Sequence, residues 1–230
     1  LGSAGGIVKA LDHFEDKPFF LLNADTIFRV NLKDLAAVHQ RLKHEFGVQV
    51  TLAVLARSPG EGKYRSIGLD PKRNLIRSIG EPMKGVPFFS GVAVIEPSAL
   101  KSFESGKPAD FLKEVLMPAV LKGRAGAYWI DNTAEMTPTS WFDIGSPELW
   151  FNTHKQFMSL YEMEELPSLW RKRIEKHSRR IGANAWVSNR SSIQQIPSRW
   201  SAPFYWDPSN SNEQAGTPPK TLGPNAFLYG

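Results

Sequence analysis

Cysteine is absent from the 230 residues, so the chain has no disulfide framework and no cysteine-ligated metal centre. Apolar runs of transmembrane length are also absent, and residues 1–20 show no signal-peptide pattern. We therefore expect a protein of the reducing cytoplasm that does not span a membrane.

The positive charge is unevenly distributed. Residues 163–200 hold eight Lys or Arg and three Glu, an excess of five that equals the net charge of +5 for the whole chain. A solvated helix face explains such a run most simply. The alternative is a nucleic-acid binder that uses a basic helix over residues 166–180.

The most informative stretch is Pro18 to Phe28, PFFLLNADTIF. Its continuous apolar run predicts a strand buried on both faces of a parallel sheet. Asp25 follows directly after that strand, at the edge where open α/β sheets bind ligands, and a carboxylate there can hold Mg²⁺ against phosphate oxygens. Asp25 could instead cap the next helix or form an Asx turn.

The remaining pattern up to residue 162 alternates between helix and strand periods, which indicates an α/β domain with a parallel crossover. Helices are predicted over 2–14, 31–46 and 111–121, and strands over 18–23, 48–56, 88–95, 125–131 and 139–142, with a hairpin over 65–79. Asn31 is the predicted N-cap of the second helix. Asp143 stands at the end of the last strand, and together with Asp25 it could share a divalent cation.

Beyond residue 180 the period changes. Ile181, Val187 and Ile193 recur every sixth position, and the pair Leu222 and Leu228 repeats that spacing. This is the hexapeptide rule of a left-handed parallel β-helix. We therefore predict β-helix coils over 181–193 and 222–228, with an insertion loop over 194–221 between them.

Taken together, these segments resemble the sugar-1-phosphate nucleotidyltransferases, which transfer a nucleotidyl group from an NTP to a sugar 1-phosphate and release pyrophosphate. The resemblance is carried by LGSAGGIVKAL, FFLLNADTIF, IGEPMKG, FFSGVAVIEPSAL and WFDIGSPELW, in this order from residue 1 to about 160. It implies a Rossmann-like three-layer nucleotidyltransferase domain over 1–162, a basic linker helix over 163–180, and a β-helix segment over 181–230.

The resemblance also implies site residues. Asp25 and Asp143 would hold Mg²⁺ and Gly2 and Ser3 would border the nucleobase, whereas the sugar phosphate would be faced by Gly68, Glu81 and Ser90. No protein nucleophile is needed, because the sugar phosphate itself attacks the NTP. β-helix tails often trimerise in such enzymes, so a homo-oligomer is a further expectation.

One motif of the family is not found in the chain. The glycine-rich G-x-G-T-R segment precedes LGTAG in the family, whereas this sequence opens on Leu1-Gly2-Ser3. We therefore expect a domain that is incomplete at its N-terminus, inactive alone, and exposed along the strand before Asp25. A non-catalytic subunit that senses nucleotide sugars or assembles other subunits is the alternative within the same fold.

Overall fold

The computed structural model describes residues 2–56, 63–104, 106–130, 141–182, 185–189 and 204–206. The chain divides into two compact units, Leu1–Phe142 and Asp143–Gly230.

The helices occupy most of the predicted positions. They are α1 (Gly2–Lys9), α2 (Leu32–Phe46), α3 (Met117–Leu121), α4 (Pro147–Glu162) and α5 (Ser168–His177), with 3-10 turns at Leu11–Phe14 and Pro97–Ala99 and a π-helical segment at Phe111–Leu116 that leads into α3. Of the described helices, none is both long and apolar enough to cross a membrane.

The first unit is built on a six-stranded sheet in the order β1-β6-β3-β7-β5-β4. The strands are β1 (Phe19–Leu22), β2 (Thr26–Phe28), β3 (Val50–Leu55), β4 (Arg65–Asp70), β5 (Leu75–Pro82), β6 (Phe88–Ile95), β7 (Ala125–Trp129) and β8 (Trp141–Asp143), and β2 and β8 form a separate two-stranded sheet. Only the pair β3–β7 is parallel among the five neighbouring pairs of the large sheet. The predicted α/β class is confirmed, but the sheet is mostly antiparallel.

Helices cover both faces of this sheet. On one face, Ala4 and Ile7 of α1 and the segment 111–121 pack against Leu52 and its neighbours. On the other, Leu35 of α2 packs against Ala53 of β3. Successive residues of a strand point to opposite faces, so the fully apolar β3 serves both layers.

The N-cap of α2 is as predicted. The Asn31 side-chain oxygen accepts hydrogen bonds from the backbone N–H groups of Lys33 (3.1 Å) and Asp34 (3.3 Å). The helix ends at Gly47, which has a φ of 67°. Both ends of α2 are therefore specified locally by residue type.

The strand β1 forms where it was predicted, but the prediction that it is buried on both faces of a parallel sheet was wrong. β1 is the edge strand of the sheet and pairs antiparallel with β6, from Phe19 opposite Ile95 to Leu22 opposite Val92. Helix α2 contacts the interior strands β3, β6 and β7. Phe20 and Leu22 are consequently 41% and 45% exposed.

The second unit differs from its sequence prediction in two respects. Helix α5 ends at His177 instead of continuing to residue 180, because Ser178–Gly182 forms strand β9. Strand β10 (Ala185–Ser188) pairs antiparallel with β9 and parallel with β11 (Phe204–Trp206), which lies inside the predicted loop 194–221.

An antiparallel β9–β10 pair is not the arrangement expected of a β-helix, in which stacked strands run parallel. Residues 190–203 and 207–230 lie outside the described residues, and with them Ile193, Leu222 and Leu228. The β-helix over 181–230 therefore stays a prediction.

Candidate functional site

Asp25 lies in a tight turn between β1 and β2. The backbone N–H of Asn23 donates to the Gly91 carbonyl (2.8 Å), and the Thr26 hydroxyl donates to the Asn23 carbonyl (3.3 Å). Asp25 itself is exposed, and within the described part of the chain its carboxylate makes no hydrogen bond or ion pair. None of the described residues therefore competes with a ligand for the Asp25 carboxylate oxygens.

Strand β6 contains a bulge at the level of this turn. The pairing of β3 with β6 runs from Leu52 opposite Ala93 to Val54 opposite Phe89, so β6 has two extra residues between these pairs. Such irregularities break the hydrogen-bond ladder and redirect side chains, and they are common beside active sites.

The Ser90–Gly91 dipeptide forms this bulge. The Ser90 hydroxyl donates to the Ala53 carbonyl (2.8 Å) and accepts from the Val92 N–H (3.3 Å), so it replaces ladder bonds that the bulge removes. Gly91 has a φ of 89°, and a Cβ on it would lie 3.0 Å from Cβ of Asn23. The bulge thus explains why a hydroxyl side chain is found at position 90 and a glycine at position 91.

Trp141 contacts the same dipeptide from β8. Its indole N–H donates to the Ser90 carbonyl over 2.7 Å. The indole ring meets Phe88 edge to face at 5.0 Å and Tyr64 at 5.4 Å, and the Tyr64 and Phe88 rings lie 4.8 Å apart. Three separate segments of the first unit are joined by this aromatic cluster.

Asp143 follows two residues after Trp141 and begins the second unit. Its Oδ1 accepts a hydrogen bond from the Gly145 N–H (2.8 Å), which closes an Asx turn before α4. The Ser146 hydroxyl accepts from the Leu149 N–H (3.2 Å), and Pro147 is the first helical residue. Asp143 is half-buried.

Asp25 and Asp143 fall in different units, and their approach to a common cation stays a prediction. Among the residues that the structure describes, no group of three or more His, Asp or Glu side chains is arranged to hold a metal. A cation at Asp25 would therefore take its remaining ligands from water, and from phosphate oxygens when a substrate is bound.

The predicted sugar-side residues differ in accessibility. Glu81 is exposed, and its carboxylate lies 3.5 Å from the Arg65 guanidinium. Gly68 is half-buried on β4, where a side chain would collide with the Ser78 hydroxyl of β5. Ser90 is fully buried, and its hydroxyl is already bonded inside the bulge.

The predicted base-side residues lie at the start of α1, beside residues 109–111. The Ser3 hydroxyl accepts from the Phe111 N–H (2.8 Å), and the Ala4 N–H donates to the Ala109 carbonyl (2.9 Å). Gly2 has a φ of 71°, and a Cβ on it would press against the Ala109 carbonyl. In this structure the missing side chain of Gly2 therefore lets α1 approach the backbone at Ala109 closely.

Sequence reasoning missed two contributors to this region, Asn23 and Trp141. Both lie in the quoted motifs, two positions before a candidate carboxylate. A glycine inside a strand, such as Gly91, favours the close approach of a ligand. In the structure a side chain of the protein, Asn23, takes that space.

Known proteins resemble this chain in sequence and fold, although no family model matches it. Mannose-1-phosphate guanylyltransferase 1 of Arabidopsis thaliana is 28% identical over 153 residues, 64% of this chain and 39% of the relative. Mannose-1-phosphate guanylyltransferase catalytic subunit beta of Drosophila pseudoobscura pseudoobscura is 27% identical over 174 residues, 74% of this chain and 43% of the relative.

These relatives support a resemblance of this chain to the sugar-1-phosphate nucleotidyltransferase family. Among solved structures, HddC from Yersinia pseudotuberculosis matches with a TM-score of 0.50 and 18% identity, over 68% of this chain and 63% of that one. That likeness supports the mixed α/β fold. The chain spans about two fifths of the length of the two guanylyltransferases described above.

Proposed function

We propose that the protein transfers a nucleotidyl group from an NTP to a sugar 1-phosphate, giving a nucleotide sugar and pyrophosphate. The supporting observation in the structure is Asp25, an exposed carboxylate with no partner among the described residues, held in a tight turn just past β1. The resemblance to the nucleotidyltransferases suggests the proposed task of that carboxylate.

Asp25 and Asp143 are the proposed ligands of Mg²⁺. The donor set fits the ion in kind, because Mg²⁺ prefers hard oxygen ligands and usually binds one or two carboxylates together with substrate phosphates and water. When bound, the ion would neutralise charge on the phosphates of the NTP.

The reaction requires no nucleophile from the protein. A phosphate oxygen of the sugar 1-phosphate would attack the α-phosphorus of the NTP in line, and the bond to the bridging oxygen of pyrophosphate would break. The protein contributes position and charge. We propose that Gly2 and Ser3 border the base and that Gly68, Glu81 and Ser90 line the sugar side. Since Ser90 is buried, it would act through the backbone it supports.

The relatives narrow the proposed substrates. Both are mannose-1-phosphate guanylyltransferases by name, which favours GTP and mannose 1-phosphate as the first pair to test. A cytoplasmic location and a homo-oligomeric state remain predictions.

The test is a turnover assay on the full-length protein with GTP, mannose 1-phosphate and Mg²⁺, followed by pyrophosphate release and detection of GDP-mannose. Asp25→Asn and Asp143→Asn should each abolish turnover while the thermal midpoint stays nearly unchanged. Asp12→Asn, which alters another exposed carboxylate, should have no effect. Other NTPs and sugar phosphates then define the specificity.

Two results would contradict the proposed catalytic function, and each favours a different alternative. Nucleotide-sugar binding without turnover by the full-length protein would favour the non-catalytic sensing or assembly subunit. A large loss of stability in Asp25→Asn would indicate a structural role instead of a catalytic one.

The nucleic-acid alternative is weakened because two arginines of the basic segment 166–180, one on α5 and one on β9, already have partners in the protein. The Arg171 guanidinium lies over the Tyr161 ring (4.4 Å) and Arg180 pairs with Glu162 (3.2 Å). Lys172, Arg173 and Lys176 remain exposed on the helix. Three phosphate contacts predict a slope of about −2.7 for log K against log salt on duplex DNA, so a much steeper slope would revive this alternative.

A further inference from the structure

The bulge in β6 holds two other segments of the first unit through consecutive carbonyl groups. The Gly91 carbonyl accepts from the Asn23 N–H (2.8 Å), and the Ser90 carbonyl accepts from the Trp141 indole (2.7 Å). Asn23 lies two residues before Asp25, and Trp141 lies two residues before Asp143. One dipeptide therefore fixes the chain on the approach to each candidate metal ligand.

We propose that Asn23 and Trp141 are positioning residues for the metal site, with the Ser90–Gly91 dipeptide as their common anchor. The inference rests on the proposed function, because it assigns a purpose to an arrangement around two carboxylates. Neither residue touches the substrate in this role; each acts through the carboxylate that follows it.

The geometry of the anchor supports this role. The Ser90 hydroxyl donates a hydrogen bond to the Ala53 carbonyl and accepts one from the Val92 N–H. The Ser90 carbonyl accepts a hydrogen bond from the Trp141 indole. Ser90 is fully buried, so the anchor belongs to the rigid interior of the sheet. An anchor of this kind limits how far the attached turns can move.

Each attached residue also has a steric partner. The Asn23 side chain lies against Gly91, so a Cβ added to Gly91 would be 3.0 to 3.2 Å from three Asn23 atoms. The Trp141 ring meets Phe88, which is 1% exposed, edge to face at 5.0 Å. Hydrogen bond and packing therefore act together at both attachments.

Residues that orient metal ligands without binding the metal typically change metal affinity by about 10–100-fold when they are replaced. For weak carboxylate sites we expect the lower end. Asn23→Ala removes the amide that lies on Gly91 but keeps the backbone hydrogen bond. Trp141→Phe removes the indole N–H but keeps an aromatic ring beside Phe88.

The experiment titrates chain 1–230 with Mn²⁺ and follows the free-ion signal by electron paramagnetic resonance. Asn23→Ala and Trp141→Phe should each weaken Mn²⁺ binding about tenfold. Trp170→Phe is the matched control, since Trp170 packs edge to face on Phe157 in the second unit (5.2 Å), and it should leave the affinity within about twofold. Asp25→Asn should remove the binding.

A second readout needs no metal. In the unsubstituted apo protein the Trp141 indole N–H should exchange slowly with solvent in ¹H–¹⁵N spectra, because it is bonded to a buried carbonyl. Asn23→Ala changes an exposed side chain, so this variant should stay folded even if Trp141→Phe does not. The Mn²⁺ affinity of Asn23→Ala then decides whether the positioning role holds.

The outcomes separate the two proposals. Absence of Mn²⁺ binding, or equal binding by Asp25→Asn, would overturn the metal site and the positioning roles with it. Loss of binding in Asp25→Asn, with Asn23→Ala titrating like Trp170→Phe, would overturn the positioning roles alone.

Discussion

His39 Nε2 lies 2.9 Å from Glu96 Oε1, although 57 positions separate these two buried residues. His39 Nδ1 lies 2.8 Å from the Thr51 hydroxyl, and Lys43 Nζ lies 2.9 Å from the same Glu96 oxygen. A carboxylate only accepts hydrogen bonds, so the neutral imidazole donates from Nε2 and accepts from Thr51. This network attaches α2 to β3 and to the end of β6.

The network predicts that the first unit loses stability in acid. Burial lowers the pKa of His39 below its ordinary value of 6.5, against the opposing effect of Glu96. Burial acts to raise the pKa of Glu96, but hydrogen bonds from Lys43 and His39 outweigh it and leave that pKa lowered. Both residues therefore bind protons more readily in the unfolded chain, and stability falls as the pH falls.

The pH window follows from these directions. The loss should begin as the pH falls below about 6.5, where unfolded His39 takes up a proton, and continue below about 4.5 through Glu96. Urea unfolding at several pH values should show a flatter profile between pH 7 and 5 for His39→Gln. His44→Gln, on the exposed side of the same helix, is the control, and an equal flattening there would contradict the assignment.

Gly91 should tolerate a side chain less well than another glycine with a similar backbone. Gly91 (φ 89°) and Gly47 (φ 67°) both have left-handed φ values, but of the two only Gly91 has atoms, those of Asn23, within 4 Å of the position that a Cβ would take. We expect Gly47→Ala to cost about 1–2 kcal/mol, and Gly91→Ala to cost about 1–3 kcal/mol more through the clash. Equal urea midpoints for the two variants would show that Asn23 simply moves aside.

The exposed side of β1 should promote self-association. Phe20 and Leu22 are 41% and 45% exposed on an edge strand, and such edges pair readily with other chains. Sedimentation of chain 1–230 should show association that increases with concentration and is reduced by Leu22→Lys. Leu121→Lys is the control, because Leu121 is 82% exposed but lies at the end of α3. A monomer at all concentrations would disprove the expectation.

Ser3 should contribute to stability whether or not it borders a nucleotide. Its hydroxyl accepts a hydrogen bond from the Phe111 N–H (2.8 Å), and Phe111 is a core residue. Ser3→Ala should cost about 1–3 kcal/mol in unfolding experiments, since a partly buried donor loses its partner. An unchanged midpoint with weakened nucleotide binding would instead assign Ser3 to the base site alone.

Local features were predictable from the sequence because short-range physics decides them. The Asn31 and Ser146 caps, the hairpin of β4 and β5 and the long helix α2 all depend on residue type and period within a few positions. The turn at Asp25 was also visible, since a continuous apolar run ends abruptly in Asn23-Ala24-Asp25.

Strand order was not predictable in the same way. A continuous apolar strand is typical of the interior of a parallel sheet, and β3 is an interior strand. β1 has the same pattern but lies at the edge, because β6 inserts antiparallel between β1 and β3. The pairing partner depends on residues some 70 positions away, which a local pattern does not record.

The sequence by itself indicated the class of fold, the resemblance to the nucleotidyltransferases and the two candidate carboxylates, because these depend on ordered motifs and local periods. The tertiary structure alone decided what surrounds Asp25. The bulge at Ser90 and Gly91 joins Asn23 to Trp141 across more than a hundred positions. That arrangement arises from the register between β3 and β6, and register is a property of paired strands, not of either strand alone.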